Sequence, residues 1–395
     1  MDSITKKQIL SDINSIDVES LIEFISTNDI SLFEMLENSL SNAKKNAIED
    51  YIENLAIEKA KGQDKQEILN DINNGFYTSS QIQNLLNRGD ISEGDLINGT
   101  SLTKELITRI KKYQKRETPF HTWKDLPELL PDRTDLFFFG QPGSGKSCIL
   151  ASLFLYANSK NLIIENTHNA TGTRYKNQLT EELRYGILPH STIADVQKGV
   201  NYIPFELLDS EDKIHPLTFI EMSGELLNRA YEDGIISEAN LAARSILKSK
   251  NKKILFFVID YYRHKQSDDF SMEASQANVL LTILDLLDRE GTLASTDGLY
   301  IIISKSDLFP SHENKLDHGE DFLWKHYGSF LQNCLRKQEK YHNRFQTVFF
   351  PYSIGNVELK DLLTSIDTEC PKNIFHAINV HAHYKNESSF WSFFK

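Results

Sequence analysis

The sequence predicts an α/β protein: a doubly wound, mostly parallel sheet preceded by an all-α domain. Three observations predict it. From residue 133 onward, short apolar runs alternate with amphipathic stretches at helical spacing, the pattern of a sheet with helices on both faces. The first run, Asp135-Leu136-Phe137-Phe138-Phe139, passes through a glycine-rich turn into Ile149, Leu150, Leu153 and Phe154, again at helical spacing. Residues 1–115, in contrast, carry helical periodicity throughout and are polar and weakly acidic.

Within that first segment a repeat is visible. Ile9-Leu10-Ser11-Asp12-Ile13-Asn14 returns as Ile68-Leu69-Asn70-Asp71-Ile72-Asn73, and Asp29-Ile30-Ser31 returns as Asp90-Ile91-Ser92. The first copy ends in a helix with Ile48, Tyr51, Ile52 and Leu55 on one face. The second ends in one with Leu102, Leu106, Ile107, Ile110 and Tyr113. Two copies of a small helical unit is the reading; chance similarity between polar helical segments is the alternative. Residues 116–132 form a linker with Pro119, Pro127 and Pro131, a density that stops helices.

The α/β domain is drawn over 133–380. Its strands after the first are placed at 162–165, 200–208, 217–221, 253–260, 299–304 and 346–351, with helices at 273–290 and 320–340 among those between them. Residues 381–395 form an aromatic tail, read as docked on its own domain against the alternative of a partner-binding peptide.

Composition excludes several classes. No apolar run reaches the ~20 residues of a membrane span. The chain opens with Met1-Asp2-Ser3-Ile4-Thr5 and no secretory pattern, so a cytoplasmic protein is expected. A net charge of −13 leaves no basic surplus for a nucleic-acid surface. The 3 cysteines, Cys148, Cys334 and Cys370, lie far apart in different elements, which argues against a disulfide framework or a zinc site.

The chemistry begins at Gly140-Gln141-Pro142-Gly143-Ser144-Gly145-Lys146-Ser147, a full match to GxxxxGK[ST] between a strand and a helix. Gly140, Gly143 and Gly145 let the backbone curl with its N–H groups inward, where they and the helix N-terminus hold phosphate oxygens. Lys146 adds a cation near the β- and γ-phosphates, and the Ser147 hydroxyl is placed to ligate Mg²⁺. Cys148, at the head of the helix, is grouped with the nucleotide-binding residues, its thiol assigned to packing. The bland alternative is a glycine-rich turn that happens to fit.

Three further motifs follow at strand ends. Phe219-Ile220-Glu221-Met222-Ser223-Gly224 lies after the loop, Ser304-Lys305-Ser306-Asp307 closes the run Leu299–Ile303, and Ser353 follows Phe350-Pro351-Tyr352. With the phosphate loop, and in this order, they resemble the Ras-like, translation-factor-related class of GTPases over residues 133 to about 380. The chain looks most like the bacterial GTPase domains fused to helical modules.

That resemblance implies GTP or GDP with Mg²⁺. Lys305 would lie along the base while Asp307 accepts from guanine N1–H and N2–H₂, an arrangement that rejects adenine because a carboxylate would be left unpaired. Ser304 stands where the family usually has asparagine, and Ser353 occupies its last base-contacting loop. Glu221 would reach Mg²⁺ through water, with glutamate in place of the usual aspartate, and the Gly224 N–H would contact the γ-phosphate. Thr192 is the positional candidate for the switch threonine that ligates Mg²⁺; Thr171, Thr173 and Ser191 remain open. Glu225 takes the place of the glutamine that orients water. As a catalytic group beside Lys146 it could orient or deprotonate water, yet it would also repel the γ-phosphate, so slow hydrolysis is expected unless a partner assists. The whole would act as a switch with the N-terminal helices as an interaction module, or with those helices as a simple cap.

Two other functions compete. An ATP-using enzyme finds support in Lys253–Asp260, readable as the strand that ends in a metal-binding aspartate, although Tyr261 stands where a motor-like ATPase wants glutamate. A non-hydrolysing nucleotide-bound scaffold is the other.

Overall fold

In the computed structural model the described residues are 9–10, 13–26, 44, 48, 64–112, 128–166, 168–189, 200–208, 213–222, 246–266, 270–310, 314–357 and 361–383. Much of the first repeat copy, the linker up to 127 and the tail from 384 lie outside them, as do Thr192, Gly224 and Glu225.

Among the described residues, seven strands build the main sheet: β1 (Thr134–Phe139), β2 (Ile163–Glu165), β3 (Val200–Leu208), β4 (Ile214–Met222), β5 (Lys252–Asp260), β6 (Thr296–Ser304) and β7 (Thr347–Tyr352). Their order is β2-β3-β4-β1-β5-β6-β7. β1 pairs parallel with β4 and β5, and β5-β6-β7 continue in parallel. The β2-β3-β4 flank is antiparallel. A short connection lets β3 and β4 fold back as a hairpin, and their pairing carries β4 back to Ile214, three residues before the expected start. The sheet is therefore mixed, mostly parallel, with β1 in its middle.

Burial follows the alternation of side chains along a strand. Phe137 and Phe139 enter one core cluster, with Leu280, Ile283, Leu287, Phe330 and Leu331. These come from α9 (Phe270–Arg289) and α10 (Lys315–Lys340), numbered after the helices named below. Leu136 and Phe138 enter the other, beneath α6 (Lys146–Ser159), α7 (Ala170–Arg184) and α11 (Glu369–His383). Phe138 stacks on Phe256 at 4.6 Å. Each fully buried ring contributes about 2–3 kcal/mol, so both faces of β1 must be covered by helices. α11 continues past residue 380, since its His381 hydrogen-bonds the Tyr300 hydroxyl at 2.5 Å; burial holds that imidazole down at about 4.

Upstream lie α1 (Val18–Ser26), α2 (Lys65–Asn73), α3 (Ser79–Arg88), α4 (Glu93–Gly99) and α5 (Lys104–Lys112); α8 (Tyr261–Gln266) follows β5. Capping boxes start α3 at Thr78 and α4 at Ser92. Ile68, Ile72, Ile82, Leu85, Leu96, Leu106 and Ile110 of α2–α5 share a core that Ile187 and Leu362 complete. The latter two pair as an isolated antiparallel bridge, and Leu362 directly precedes a small hairpin strand, β9 (Leu363–Ile366), partner of β8 (Gly355–Val357). The α2–α5 helices thus rest on the α/β body.

Candidate functional site

The site lies at the carboxyl ends of β1, β4, β5 and β6, where a sheet with helices on both faces leaves an opening. β1 delivers the chain into Gly140, and α6 starts at Lys146 with Gly145 as its N-cap at φ +91. No other residue fits at Gly140: an added Cβ would meet the Val258 carbonyl oxygen at 2.7 Å and the Ser144 hydroxyl at 2.6 Å. The turn presents the first N–H groups of a 14-residue helix, with the positive end of its dipole.

Two cations sit on the carbonyls of this turn. The Lys146 ammonium donates to the Gly140 carbonyl at 2.6 Å and to that of Gln141 at 3.1 Å. The Arg263 guanidinium, from α8, donates to the Gln141 side chain at 2.6 Å and to the Pro142 carbonyl. Within the turn the Ser144 N–H also donates to the Gln141 carbonyl, at 3.2 Å. Desolvation pushes the Cys148 thiol up to about 12, so it stays protonated at neutral pH.

The Ser147 hydroxyl donates to Glu221 Oε1 at 2.7 Å. The other carboxyl oxygen, Oε2, accepts from the Tyr175 hydroxyl at 2.6 Å and from the Asn201 amide at 3.5 Å. Burial first, then the nearby charge of Glu221, raises the Tyr175 phenol well above its usual value, so it stays a donor. Asp260 lies on the far side of β1 with its own partners, the Lys305 ammonium at 2.8 Å and the Arg263 guanidinium at 3.7 Å. Lys305 also lies 5.2 Å from the centre of the half-exposed Tyr262 ring.

Of the remaining expected residues, Ser304 is buried and donates to the Ile259 carbonyl at 3.1 Å. Its Cβ faces the position that a side chain at Gly145 would occupy, 3.7 Å away. Asp307 is exposed, on a turn that starts with Lys305 in the left-handed region at φ +60. The buried Ser353 hydroxyl is engaged within its own turn by the Gly355 N–H at 3.1 Å. The structure thus gathers Gly140–Ser147 and Glu221 into one cluster, with Ser304 and Lys305 beside it. Sequence reasoning missed the roles of Tyr175, Asn201 and Arg263, each of which reaches the cluster from an element remote in sequence.

A divalent cation fits the donor set. Ser147 donates its proton to Glu221, which leaves its oxygen lone pairs for a metal, and Asn201 Oδ1 is a buried acceptor with no partner among the described residues. Ser144 Oγ and Ser306 Oγ are also buried without partners among the described residues. Such atoms are costly unless a ligand or water meets them.

No family model matches the chain, and no curated protein matches it. Among solved structures it is similar to the signal recognition particle receptor complex SRb-GTP/SRX of Chaetomium thermophilum, at 14% identity and a TM-score of 0.34, over 58% of this chain and 94% of that one. It is also similar to Toc33 of Arabidopsis thaliana, at 12% identity and a TM-score of 0.33, over 71% of this chain and 91% of that one. Likeness of this degree decides nothing about function. Among the described residues, no helix is long and apolar enough to cross a membrane.

Proposed function

We propose that the chain is a Mg²⁺-dependent guanine-nucleotide-binding protein, a slow GTPase that works as a cytoplasmic switch with its N-terminal helices as the interaction module. One observation carries this over the ATPase reading. The loop hydroxyl Ser147 meets Glu221 on β4, at 2.7 Å, while Asp260 is occupied by Lys305 and Arg263. This contact supports assigning the metal carboxylate to the Glu221–Gly224 motif, the one that precedes Ser304–Asp307 in the guanine-binding order.

In this reading the N–H groups of Gly140–Cys148 and the Lys146 ammonium bind the phosphates. Ser147 and Thr192 would hold Mg²⁺ directly and Glu221 through water. The cation would supply charge neutralisation at the β- and γ-phosphates. Lys305 and Asp307, with Ser304 and Ser353 alongside, take the base, Gly224 meets the γ-phosphate, and Glu225 orients water.

The test is the nucleotide released from the purified protein on denaturation, identified by chromatography, together with GTP and ATP affinities. Guanine nucleotide and a clear GTP preference are expected; equal affinity for GTP and ATP would promote the ATPase. With non-hydrolysable GTP analogue, residues 170–195 and 222–236 should be protected from hydrogen exchange relative to GDP. Identical exchange in both states would leave a scaffold.

A further inference from the structure

Glutamate is one methylene longer than the aspartate this motif usually carries, and a longer side chain has more rotamers to lose before it can orient a metal's water. In this chain both oxygens of Glu221 are already held. Ser147 binds Oε1 at 2.7 Å and Tyr175 binds Oε2 at 2.6 Å. Tyr175 is wholly buried and arrives from α7, a helix between the phosphate-loop helix and β3.

That helix is pressed onto the sheet by a specific contact set. Asn169, its N-cap, accepts from the Gly172 N–H at 3.1 Å and donates to the Tyr202 carbonyl at 2.6 Å. Gly172 approaches so closely that an added Cβ would stand 2.1 Å from the same carbonyl oxygen. Asn169, Gly172 and Tyr175 recur every three residues, so the contact that seats the helix also aims the phenol. Asn201 is the cross-strand partner of Glu221 in the antiparallel β3–β4 pair, which puts the two side chains on one face. Its amide nitrogen approaches Glu221 Oε2 at 3.5 Å, and its Oδ1 is buried without a partner among the described residues.

We propose that Tyr175 and Asn201 are positioning residues for the divalent cation. Tyr175 holds the longer Glu221 in the water-orienting rotamer, and Asn201 Oδ1 accepts from a second metal-bound water. The inference rests on the nucleotide reading above, and it makes α7 part of the metal site. Outer partners of metal ligands typically change metal affinity by about 10–100-fold.

The experiment uses the full chain loaded with a fluorescent guanine nucleotide and titrates Mg²⁺, reading nucleotide release rather than turnover. Tyr175→Phe keeps the ring in the core and removes only the hydroxyl. It should raise the Mg²⁺ midpoint roughly tenfold and leave nucleotide affinity in EDTA unchanged. Asn201→Ala should shift the midpoint in the same direction. Glu221→Asp supplies a readout that a purely structural role would not move: in that background Tyr175→Phe should have much less effect, because the shorter carboxylate no longer depends on the phenol. A Mg²⁺ midpoint in Tyr175→Phe equal to that of the unmutated chain overturns the proposal, as does an equal Tyr175→Phe effect with aspartate at 221. Failure of the unmutated chain to bind guanine nucleotide would instead overturn the reading on which the proposal rests.

Discussion

At the residue scale, single side chains at opposite ends of β1 have opposite tasks. At its carboxyl end, Lys146→Ala removes the cation that the proposed nucleotide site assigns to the phosphates, and should abolish nucleotide binding with the fold intact. Binding within a few-fold of the unmutated protein, measured by titration calorimetry, would mean that the site is misplaced. Asp307→Asn puts a donor opposite the guanine donors and should weaken GTP by about 100-fold or more with little change for ATP. At its amino end, Asp135 is fully buried between Ser249 and Asn251, and desolvation raises its carboxyl from 3.8 to about 6. The folded state then holds a proton that the unfolded state has lost, so stability falls as pH rises from about 4 to about 6. That interval corresponds to about 3 kcal/mol. Asp135→Asn should lack this component. Denaturant unfolding of both proteins at several pH values checks it; parallel curves would disprove it.

At the scale of elements, α7 brings the Tyr175 hydroxyl to Glu221. Its closest approach is at Gly172, where the obstacle is the Tyr202 backbone and not a side chain that can swing away. Gly172→Ala should therefore cost roughly 1–3 kcal/mol, seen as a lower denaturant midpoint, and should weaken Mg²⁺ retention in the same protein. An unchanged midpoint would mean that the helix yields without resistance. The phosphate loop is held differently. Its curl depends on Gly140 packed against Val258, and on Lys146 and Arg263 fastened to its carbonyls, contacts contributed by β5, α6 and α8.

For the whole molecule, the question is how α2–α5 bear on the site. The Asp361 carboxyl caps α3 from outside the helix: Ser79 donates its N–H at 2.9 Å and its hydroxyl at 2.5 Å, with both residues buried. The Asp361 carbonyl accepts from the Leu188 N–H at 2.7 Å, and Gly186 accepts from Leu363 at 2.6 Å. One acidic residue so ties the helices to the chain that leads into residues 190–199, where the switch threonine is expected. Asp361→Ala leaves buried donors unpaired and should cost roughly 1–3 kcal/mol. Limited proteolysis should then cut within 65–112 faster than in the unmutated protein. Equal cleavage would show that the apolar contacts through Ile187 and Leu362 suffice.

What the sequence by itself determined is local and periodic. Short runs such as Phe137-Phe138-Phe139 and Ile301-Ile302-Ile303, bounded by turn signals, read as buried strands, and GxxxxGKS between a strand and a helix dictates its own turn through Gly140 and Gly145. These features depend on residues a few positions apart, so a reader of the chain can see them. Tertiary structure alone decided which carboxylate Ser147 meets, because Glu221 and Asp260 both end strands beside β1 and differ only in their neighbours. It also decided that Tyr175, Asn201 and Arg263 converge there, and that the β2-β3-β4 flank runs antiparallel. Each depends on strand pairing or helix docking over tens to hundreds of residues, and no periodicity records the outcome of that packing.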